Sequence, residues 1–130
     1  MGDLIYKEEC YKIYGICYDI QNKVGSVFNE RQYQDILEAK LKSENISYER
    51  EKDLYFNLDE ETKIGGNKID FVVFNKIAVD LKTKKFITKE DFRQMMRYLK
   101  AGKYKLCLIV NFRGRKVEIK RVVNSGIRIS

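Results

Sequence analysis

The sequence predicts a mixed α/β fold in which a central β-sheet is flanked by helices. Two observations support this prediction. Three stretches carry apolar residues at helical spacing, whereas several short, strongly apolar runs have the length of buried strands. Their order along the chain is α-α-β-β-β-α-β-β. At 130 residues, the chain is expected to form a single domain, residues 1–130, around one hydrophobic core.

Three helices are predicted from the positions of the apolar residues. The first covers about residues 4–21. The second covers about residues 27–44, with Ser26 as its N-cap and Val27 among its inward-facing residues. The third covers about residues 89–101. The chain contains no proline that would interrupt any of them.

Five strands are predicted, and the central ones form the most apolar part of the sequence. An extended, aromatic-rich segment at residues 46–58 precedes a polar, glycine-containing stretch at residues 59–67, which is interpreted as a loop. The remaining strands are predicted at residues 69–74, 77–82, 106–111 and 117–122.

The composition limits the chemistry that this chain can perform. The absence of histidine excludes Ser-His-Asp and Cys-His nucleophile systems and makes a zinc site improbable. The three cysteines are odd in number and form no Cys-x-x-Cys pair, so they are expected to be reduced in a cytoplasmic protein. No apolar run approaches the roughly 20 residues of a membrane span, so no membrane partner is expected. A net charge of +7 favours a polyanionic partner.

Two acids and a lysine stand out in the central strands. Asp70 begins one apolar run, and Asp80 lies near the end of the next, two residues before Lys82. Residues two apart point to the same face of a strand, so Asp80 and Lys82 are expected to lie side by side. Carboxylates on adjacent strands also provide the oxygen ligands that a hard divalent cation prefers. The alternatives are that the two acids face water at strand ends and that Lys82 is a solvated strand residue.

The turn between these strands decides whether the two acids meet. A two-residue turn at residues 75–76 would pair Asp70 with Leu81 and would point Asp70 away from Asp80. A shared cation site therefore requires a connection of odd length, a β-bulge, or a bend at Asp70.

Glu30 is a third acid of interest, because it lies on the same stripe of the second helix as apolar residues. Tyr33 and Leu37 follow it at positions i+3 and i+7. A carboxylate in line with core residues needs a partner. One interpretation is a salt bridge with Arg50 or Lys82 at the edge of the core. The other is a further metal ligand, or a residue that holds a metal-bound water.

Basic residues form two clusters that suit phosphate contacts. Four of them recur on one face of the third helix and form what we call the basic stripe, with Gln94 next to it; the alternative is a solvated helix face. The members of the stripe are Lys89, Arg93, Arg97 and Lys100. A second cluster surrounds the turn before the last strand and contains Arg113, Arg115, Lys116, Lys120 and Arg121.

Residues 27–33 resemble the signature helix of the GxxExxY family, which is placed in the PD-(D/E)XK nuclease superfamily. Glu30 and Tyr33 occupy the positions of the family's glutamate and tyrosine. Val27 stands where the family has glycine, which is a departure, although Gly25 lies just upstream.

The resemblance extends from about residue 11 to residue 122 and includes the acids described above. Asp70 matches the first acid of the core motif, and Asp80 and Lys82 match its second acid and lysine, with aspartate where the family more often has glutamate. Gln94 lies in a segment similar to the family's glutamine-bearing helix.

The resemblance implies a restriction-endonuclease-like core that binds Mg²⁺ or Mn²⁺ and cuts nucleic acid. We therefore expect a metal-dependent nuclease that acts on DNA, and a homodimer is the expected assembly. Asp70, Asp80, the Leu81 carbonyl and Glu30 are expected to ligate the metal. Lys82 and Gln94 are the other catalytic candidates. The alternatives are a non-catalytic or partner-activated nucleic-acid-binding module, and a nuclease for RNA or for branched or single-stranded substrates.

Overall fold

The computed structural model describes residues 5–127 and contains the predicted order of elements. The helices are α1 (Lys7–Val24), α2 (Glu30–Ser43) and α3 (Lys89–Gly102). The strands are β1 (Tyr48–Asn57), β2 (Lys63–Val73), β3 (Ile77–Lys82), β4 (Leu106–Asn111) and β5 (Glu118–Val123). The predicted mixed α/β class is confirmed. The predicted start of the first helix, Leu4, lies outside the described residues.

The five strands form one mixed sheet in the order β1-β2-β3-β4-β5. Strands β3 and β4 are parallel and are connected through α3, whereas the other neighbouring pairs are antiparallel. Helices α1 and α2 pack on one face of the sheet, and α3 packs on the opposite face, called the α3 face below. Burial on both faces explains why β3 and β4 are almost continuously apolar. Within residues 5–127, no helix is long and apolar enough to cross a membrane.

Helix α2 begins three residues later than the sequence pattern predicts. Asn29, not Ser26, is the N-cap: its side chain accepts a hydrogen bond from the backbone N–H of Gln32, and the Gln32 side chain accepts one from the Asn29 N–H. This reciprocal pair satisfies two backbone donors at the helix start. Val27 therefore lies before the helix and is 82% exposed, so its predicted inward orientation is wrong.

Strand β2 begins inside the stretch that the sequence pattern assigns to a loop. Residues 63–69 pair with β1 but lie beyond the part of β2 that pairs with β3. Together with residues 52–57 they form a two-stranded extension of the sheet, which we call the β-ribbon. Gly65, Gly66 and the polar residues around them give this strand the composition of a loop, so the sequence pattern does not reveal it.

The connection between β2 and β3 has three residues, which is an odd length. Val73 pairs with Ile77, and the backbone N–H of Lys76 donates to the Val73 carbonyl at 3.2 Å. Phe74 and Asn75 both adopt positive φ angles, of 58° and 60°. This tight turn sets the register of the two strands that carry the candidate site.

Substitutions of Asn75 should change the free energy of unfolding through its positive φ angle and not through lost side-chain contacts, because its side chain is exposed. We expect Asn75→Gly to preserve or raise the free energy of unfolding, whereas Asn75→Ala should lower it by about 1 kcal/mol, since alanine disfavours positive φ. Urea unfolding followed by circular dichroism measures both changes. Asn22→Ala, at an exposed helical position of α1, serves as the control and should not destabilise. Equal losses for the glycine and alanine variants of Asn75 would contradict this account.

Candidate active site

The candidate site lies at the carboxyl end of β3, where the strand passes under α3. Val79 and Leu81 pack on the face covered by α1 and α2. Asp80 therefore points to the α3 face, where it is only 4% exposed. Lys82 points to the same face, and its Nζ lies 3.0 Å from Oδ2 of Asp80. This geometry agrees with the side-by-side placement expected from the sequence.

Asp70 reaches Asp80 because of the odd-length turn. The observed register pairs Phe71 with Val79, and the same register extended by one residue places Asp70 across from Asp80. Oδ2 of Asp70 accepts a hydrogen bond of 2.7 Å from the Leu81 backbone N–H. The Asp70 and Asp80 carboxyl groups are also close enough to hydrogen-bond each other. The structure thus brings the two predicted acids together.

Both carboxyl groups are held in surroundings that disfavour two negative charges. Burial raises the pKa of Asp70, and the neighbouring Asp80 charge raises it further. Burial also raises the pKa of Asp80, although the Lys82 ammonium partly offsets this effect. Without a further cation, the pair therefore tends to retain a proton. A divalent cation between the two groups would relieve both the burial of charge and the repulsion.

One oxygen of Asp80 has a charged neighbour but no hydrogen-bond donor. Oδ2 is buried and accepts no hydrogen bond from any described residue. Its close polar neighbour is the Lys82 Nζ at 3.0 Å, which forms an ion pair with it. Buried polar atoms are normally paired, so this oxygen still has the capacity to accept a ligand such as a water molecule or a cation.

Lys82 is positioned by α3 as well as by Asp80. Its Nζ donates to Oε1 of Gln94 at 3.0 Å, and Nε2 of Gln94 donates to the Tyr98 hydroxyl at 3.0 Å. Burial lowers the pKa of Lys82, but the Asp80 and Glu30 carboxylates outweigh it, so the pKa lies above its ordinary value. The ammonium is therefore charged. Tyr98 was not apparent as a site residue from the sequence, because its helical spacing from Gln94 is also that of a core residue.

Glu30 lies at the start of α2, within electrostatic range of the other site residues. Burial raises its pKa, Lys82 lowers it and Asp80 raises it. Among the described residues, no hydrogen bond or ion pair holds its carboxylate. Arg50, one of its two predicted salt-bridge partners, instead binds Asp35 and Glu38 at 2.8 and 2.9 Å. That alternative for Arg50 is therefore wrong.

Three residues that were not predicted for the site fix the loop after β3. The side-chain amide of Asn111 accepts a hydrogen bond from the Lys84 N–H at 3.2 Å and donates one to the Lys84 carbonyl at 2.7 Å. Lys84 Nζ in turn lies 2.9 Å from Asp91, which also caps α3 together with Thr88. The Thr88-x-x-Asp91 spacing is a sequence signal of such a cap, but nothing in the sequence indicates the Lys84 contact.

The donor set of this site suits a cation that needs few protein ligands. Asp70, Asp80, Glu30 and Asp91 carry four carboxylates against the ammonium groups of Lys82 and Lys84. Within residues 5–127, no group of three or more His, Cys, Asp or Glu side chains is close enough to hold a metal ion. Mg²⁺ is commonly bound by one or two carboxylates, with water and substrate phosphate completing its shell. The Asp70–Asp80 pair fits that pattern, whereas Glu30 is not within direct reach.

The two basic clusters occupy different parts of the surface. All four residues of the basic stripe are exposed on the outer side of α3, and Glu90 lies 3.3 Å from Arg93 and 3.8 Å from Arg97. Arg113 and Arg115 are exposed in the turn after β4, whose first residue, Phe112, donates to the Lys82 carbonyl at 3.0 Å. The basic stripe thus lies on the same helix as Gln94 of the site. The turn with Arg113 and Arg115 begins at a residue that is hydrogen-bonded to the backbone of Lys82.

Arg121 differs from the other members of the second cluster. Its guanidinium donates to the Tyr14 hydroxyl at 3.0 Å and to the Ile5 carbonyl at 3.3 Å. Arg121 therefore connects β5 to α1 and to the residue Ile5 before it, and its role is structural.

Comparisons with known proteins identify relatives of this fold. One similar solved structure is titled crystal structure of SSO0001. It is 17% identical in sequence, the match covers 72% of this chain and 49% of that chain, and the TM-score is 0.58. Another is the crystal structure of an alkaline exonuclease (LHK-Exo) from Laribacter hongkongensis. It is 10% identical in sequence, the match covers 68% of this chain and 53% of that chain, and the TM-score is 0.51. This chain spans about half the length of each, and these identities establish a likeness of fold alone.

The sequence comparisons assign the chain to a superfamily. No curated protein matches it. A family model described as the PD-(D/E)XK nuclease superfamily matches residues 7–122, nearly the whole chain, while the narrower resemblance to the GxxExxY family stays a prediction. The match includes the strands that carry Asp70, Asp80 and Lys82. The chain therefore belongs to the PD-(D/E)XK nuclease superfamily.

Proposed function

We propose that this protein is a metal-dependent nuclease that hydrolyses phosphodiester bonds, with DNA as its substrate. The observation that carries the proposal is the meeting of half-buried Asp70 and buried Asp80 beside Lys82 on the α3 face. Membership of a nuclease superfamily supports the same reaction class. A histidine-free chain also needs carboxylates, lysine and a hard metal for such chemistry.

Asp70 and Asp80 would hold Mg²⁺ or Mn²⁺, with the Leu81 carbonyl as a further oxygen ligand. Glu30 would act at longer range, through a water molecule, because its carboxylate has no direct contact with the two aspartates. When bound, the ion would polarise the scissile phosphate and lower the pKa of a water molecule. Two features support this assignment: Oδ2 of Asp80 accepts no hydrogen bond from the described residues, and the pKa of Asp70 is raised.

Lys82 would stabilise the negative charge that develops on the phosphate. A lysine that acts as a base needs a depressed pKa, whereas the surrounding carboxylates raise the pKa of Lys82. Its charged ammonium therefore favours an electrostatic role. Gln94 would position this ammonium, and the Tyr98 hydroxyl would orient the Gln94 amide.

The basic residues would bind the phosphate backbone around an acidic site. The chain carries a net charge of +7, although the named acids of the site outnumber its two lysines. The basic stripe, with Arg113 and Arg115, would therefore supply the attraction that the site itself lacks. A homodimer and a cytoplasmic location, the latter supported by three free, buried cysteines, complete the proposal.

The catalytic roles predict a specific pattern of lost activity. Asp80→Ala or Lys82→Ala should reduce cleavage by about 100-fold or more, because each removes a group that acts on the reacting phosphate. Cleavage of supercoiled, linear and single-stranded DNA is measured with Mg²⁺, Mn²⁺ or EDTA. Asp19→Ala and Lys40→Ala, which alter an exposed ion pair between α1 and α2, are the matched controls and should keep full activity. Wild-type rates in either site variant would contradict the mechanism, and no metal-dependent cutting by the wild type would favour a binding module.

Metal binding predicts a pH-dependent change in stability. A carboxyl group whose folded pKa is raised binds its proton more tightly in the native state, so it costs stability as the pH rises above its ordinary pKa. Without metal, Asp70→Asn should therefore raise the melting temperature more at pH 8 than at pH 5. The asparagine keeps an oxygen to accept the Leu81 N–H.

Addition of metal should stabilise the wild type but not the Asp70→Asn variant. At pH 8, Mn²⁺ or Mg²⁺ should raise the melting temperature of the wild type by about 3 °C or more and leave Asp70→Asn unchanged. Asp53→Asn, an exposed site on β1, is the control and should respond to metal like the wild type. An equal metal response in the wild type and Asp70→Asn would exclude Asp70 as a ligand.

The basic stripe predicts a change in the salt dependence of binding. Replacing both Arg93 and Arg97 with glutamine should flatten the plot of log affinity against log salt by roughly one unit per lost phosphate contact. Titrations of labelled DNA in EDTA at several salt concentrations measure the slope. Glutamine at Lys7 and Lys12 on α1 provides the charge-matched control. An unchanged slope for the Arg93 and Arg97 variant would move the main phosphate contacts elsewhere, first to Arg113 and Arg115.

A further inference from the structure

Two cavities lie along the outer side of α3 and share the same two cations. The larger has a volume of about 520 Å³ and the smaller about 270 Å³, and Arg97 and Lys100 line both. We call the two cavities together the α3 groove. The larger is completed by Phe92, Arg93, Met96 and Asn124, and the smaller by Phe56, Ile64 and Asn67 of the β-ribbon.

The α3 groove combines apolar surfaces with positive charge. Met96 is 38% exposed in the larger cavity and Ile64 is 48% exposed in the smaller, so apolar surface faces solvent on both sides of the two shared cations. Among the described residues that line the two cavities, none is acidic. Glu90 pairs with Arg93 and Arg97 only at the exposed surface, where such ion pairs contribute little and are easily exchanged for phosphate.

The α3 groove lies next to the candidate active site. Asn67, in the smaller cavity, precedes Asp70 by three residues of β2, a distance of about 10 Å along a strand. Arg97, which lines both cavities, directly precedes Tyr98 on α3, and the Tyr98 hydroxyl accepts a hydrogen bond of 3.0 Å from Gln94 of the site. A chain bound in the groove would therefore continue toward the two aspartates.

We propose that the α3 groove binds the unpaired nucleotides of single-stranded nucleic acid next to the scissile bond. Bases would enter the apolar cavities, and Arg97 and Lys100 would contact the phosphates between them. In a duplex the faces of the bases are covered by their neighbours, so a duplex would use the cations and leave the cavities empty. The proposal deepens the proposed nuclease function and rests on it for the identity of the adjoining site.

Other occupants fit the charges less well. A second copy of this chain, bound about a two-fold axis, would place Arg97 and Lys100 against the same cations of its partner. The acids Asp59, Glu60 and Glu61 lie at the tip of the β-ribbon, beyond the cavity-lining residues, and would limit the nucleic-acid path at that end. An acidic peptide matches the cations but not the paired cavities, and the experiment includes it.

Binding measured in EDTA separates base contacts from phosphate contacts and from cleavage. Labelled strands of about 20 nucleotides are compared by fluorescence anisotropy as single-stranded DNA, single-stranded RNA, duplex DNA and an abasic strand with the same number of phosphates. We expect single strands to bind about tenfold more tightly than the duplex or the abasic strand, given the usual strength of base stacking. The DNA and RNA arms decide which sugar the groove prefers.

Two variants test the apolar walls without changing charge. Phe92→Leu keeps an apolar side chain against the core but removes the aromatic face, and Met96→Ala shortens an exposed side chain. Each should weaken single-strand binding about fivefold and leave abasic and duplex binding unchanged, because Phe92→Leu removes base stacking and Met96→Ala removes an apolar contact with a base. Tyr11→Ala, at an exposed aromatic on α1 across the sheet, is the matched control. Thermal melts confirm that every variant is folded.

The outcomes distinguish this proposal from the proposed function. Equal affinity for the abasic and ordinary strands, or unchanged single-strand binding in both Phe92→Leu and Met96→Ala, would overturn the groove proposal. Tighter binding of a poly-glutamate peptide than of single-stranded DNA would overturn it in favour of a protein partner. Metal-dependent cutting without single-strand preference would leave the nuclease standing and remove the groove proposal. Single-strand preference without any cutting would support the groove proposal and contradict the proposed nuclease function.

Discussion

The placement of half-buried Asp70 beside buried Asp80 is the constraint on which the site depends. Two carboxylates in a largely apolar layer repel each other and lose hydration, so folding must offset a substantial cost. Lys82 offsets part of it through its ion pair with Asp80, and the Leu81 N–H stabilises Asp70. One oxygen of Asp80 still has no donor among the described residues. Under the proposed function, a bound cation would offset the remaining cost.

The fold contributes by fixing three independent positions around this pair. The three-residue turn after Val73 sets the register that places the aspartates opposite each other. Helix α3 supplies Gln94, which holds the Lys82 ammonium at 3.0 Å. The parallel neighbour β4 supplies Asn111, which fixes the backbone just beyond the strand. Because the sheet is buried on both faces, none of these elements can shift without disturbing a packed core.

Local patterns in the sequence predicted the elements and the faces of the central strands, because burial imposes a period on the apolar residues. Asp80 and Lys82 were therefore placed correctly relative to each other. The relation of Asp70 to Asp80 depended on the length of one turn, which two positive φ angles decide and apolar periodicity does not report. The β2 half of the β-ribbon and the Lys84–Asp91 contact were missed, because a weakly apolar strand and a pair brought together by a loop leave no periodic signal.

The central claim is that Asp70 and Asp80 together bind a divalent cation, and a crystal grown with Mn²⁺ tests it most directly. Anomalous scattering at the manganese edge locates the ion without reference to the expected ligands. The account predicts a peak between the two carboxylates, within about 2.0–2.3 Å of an oxygen from each, with Lys82 still beside Asp80. A crystal in which the two carboxyl groups share a proton and manganese binds elsewhere, or nowhere, would contradict it.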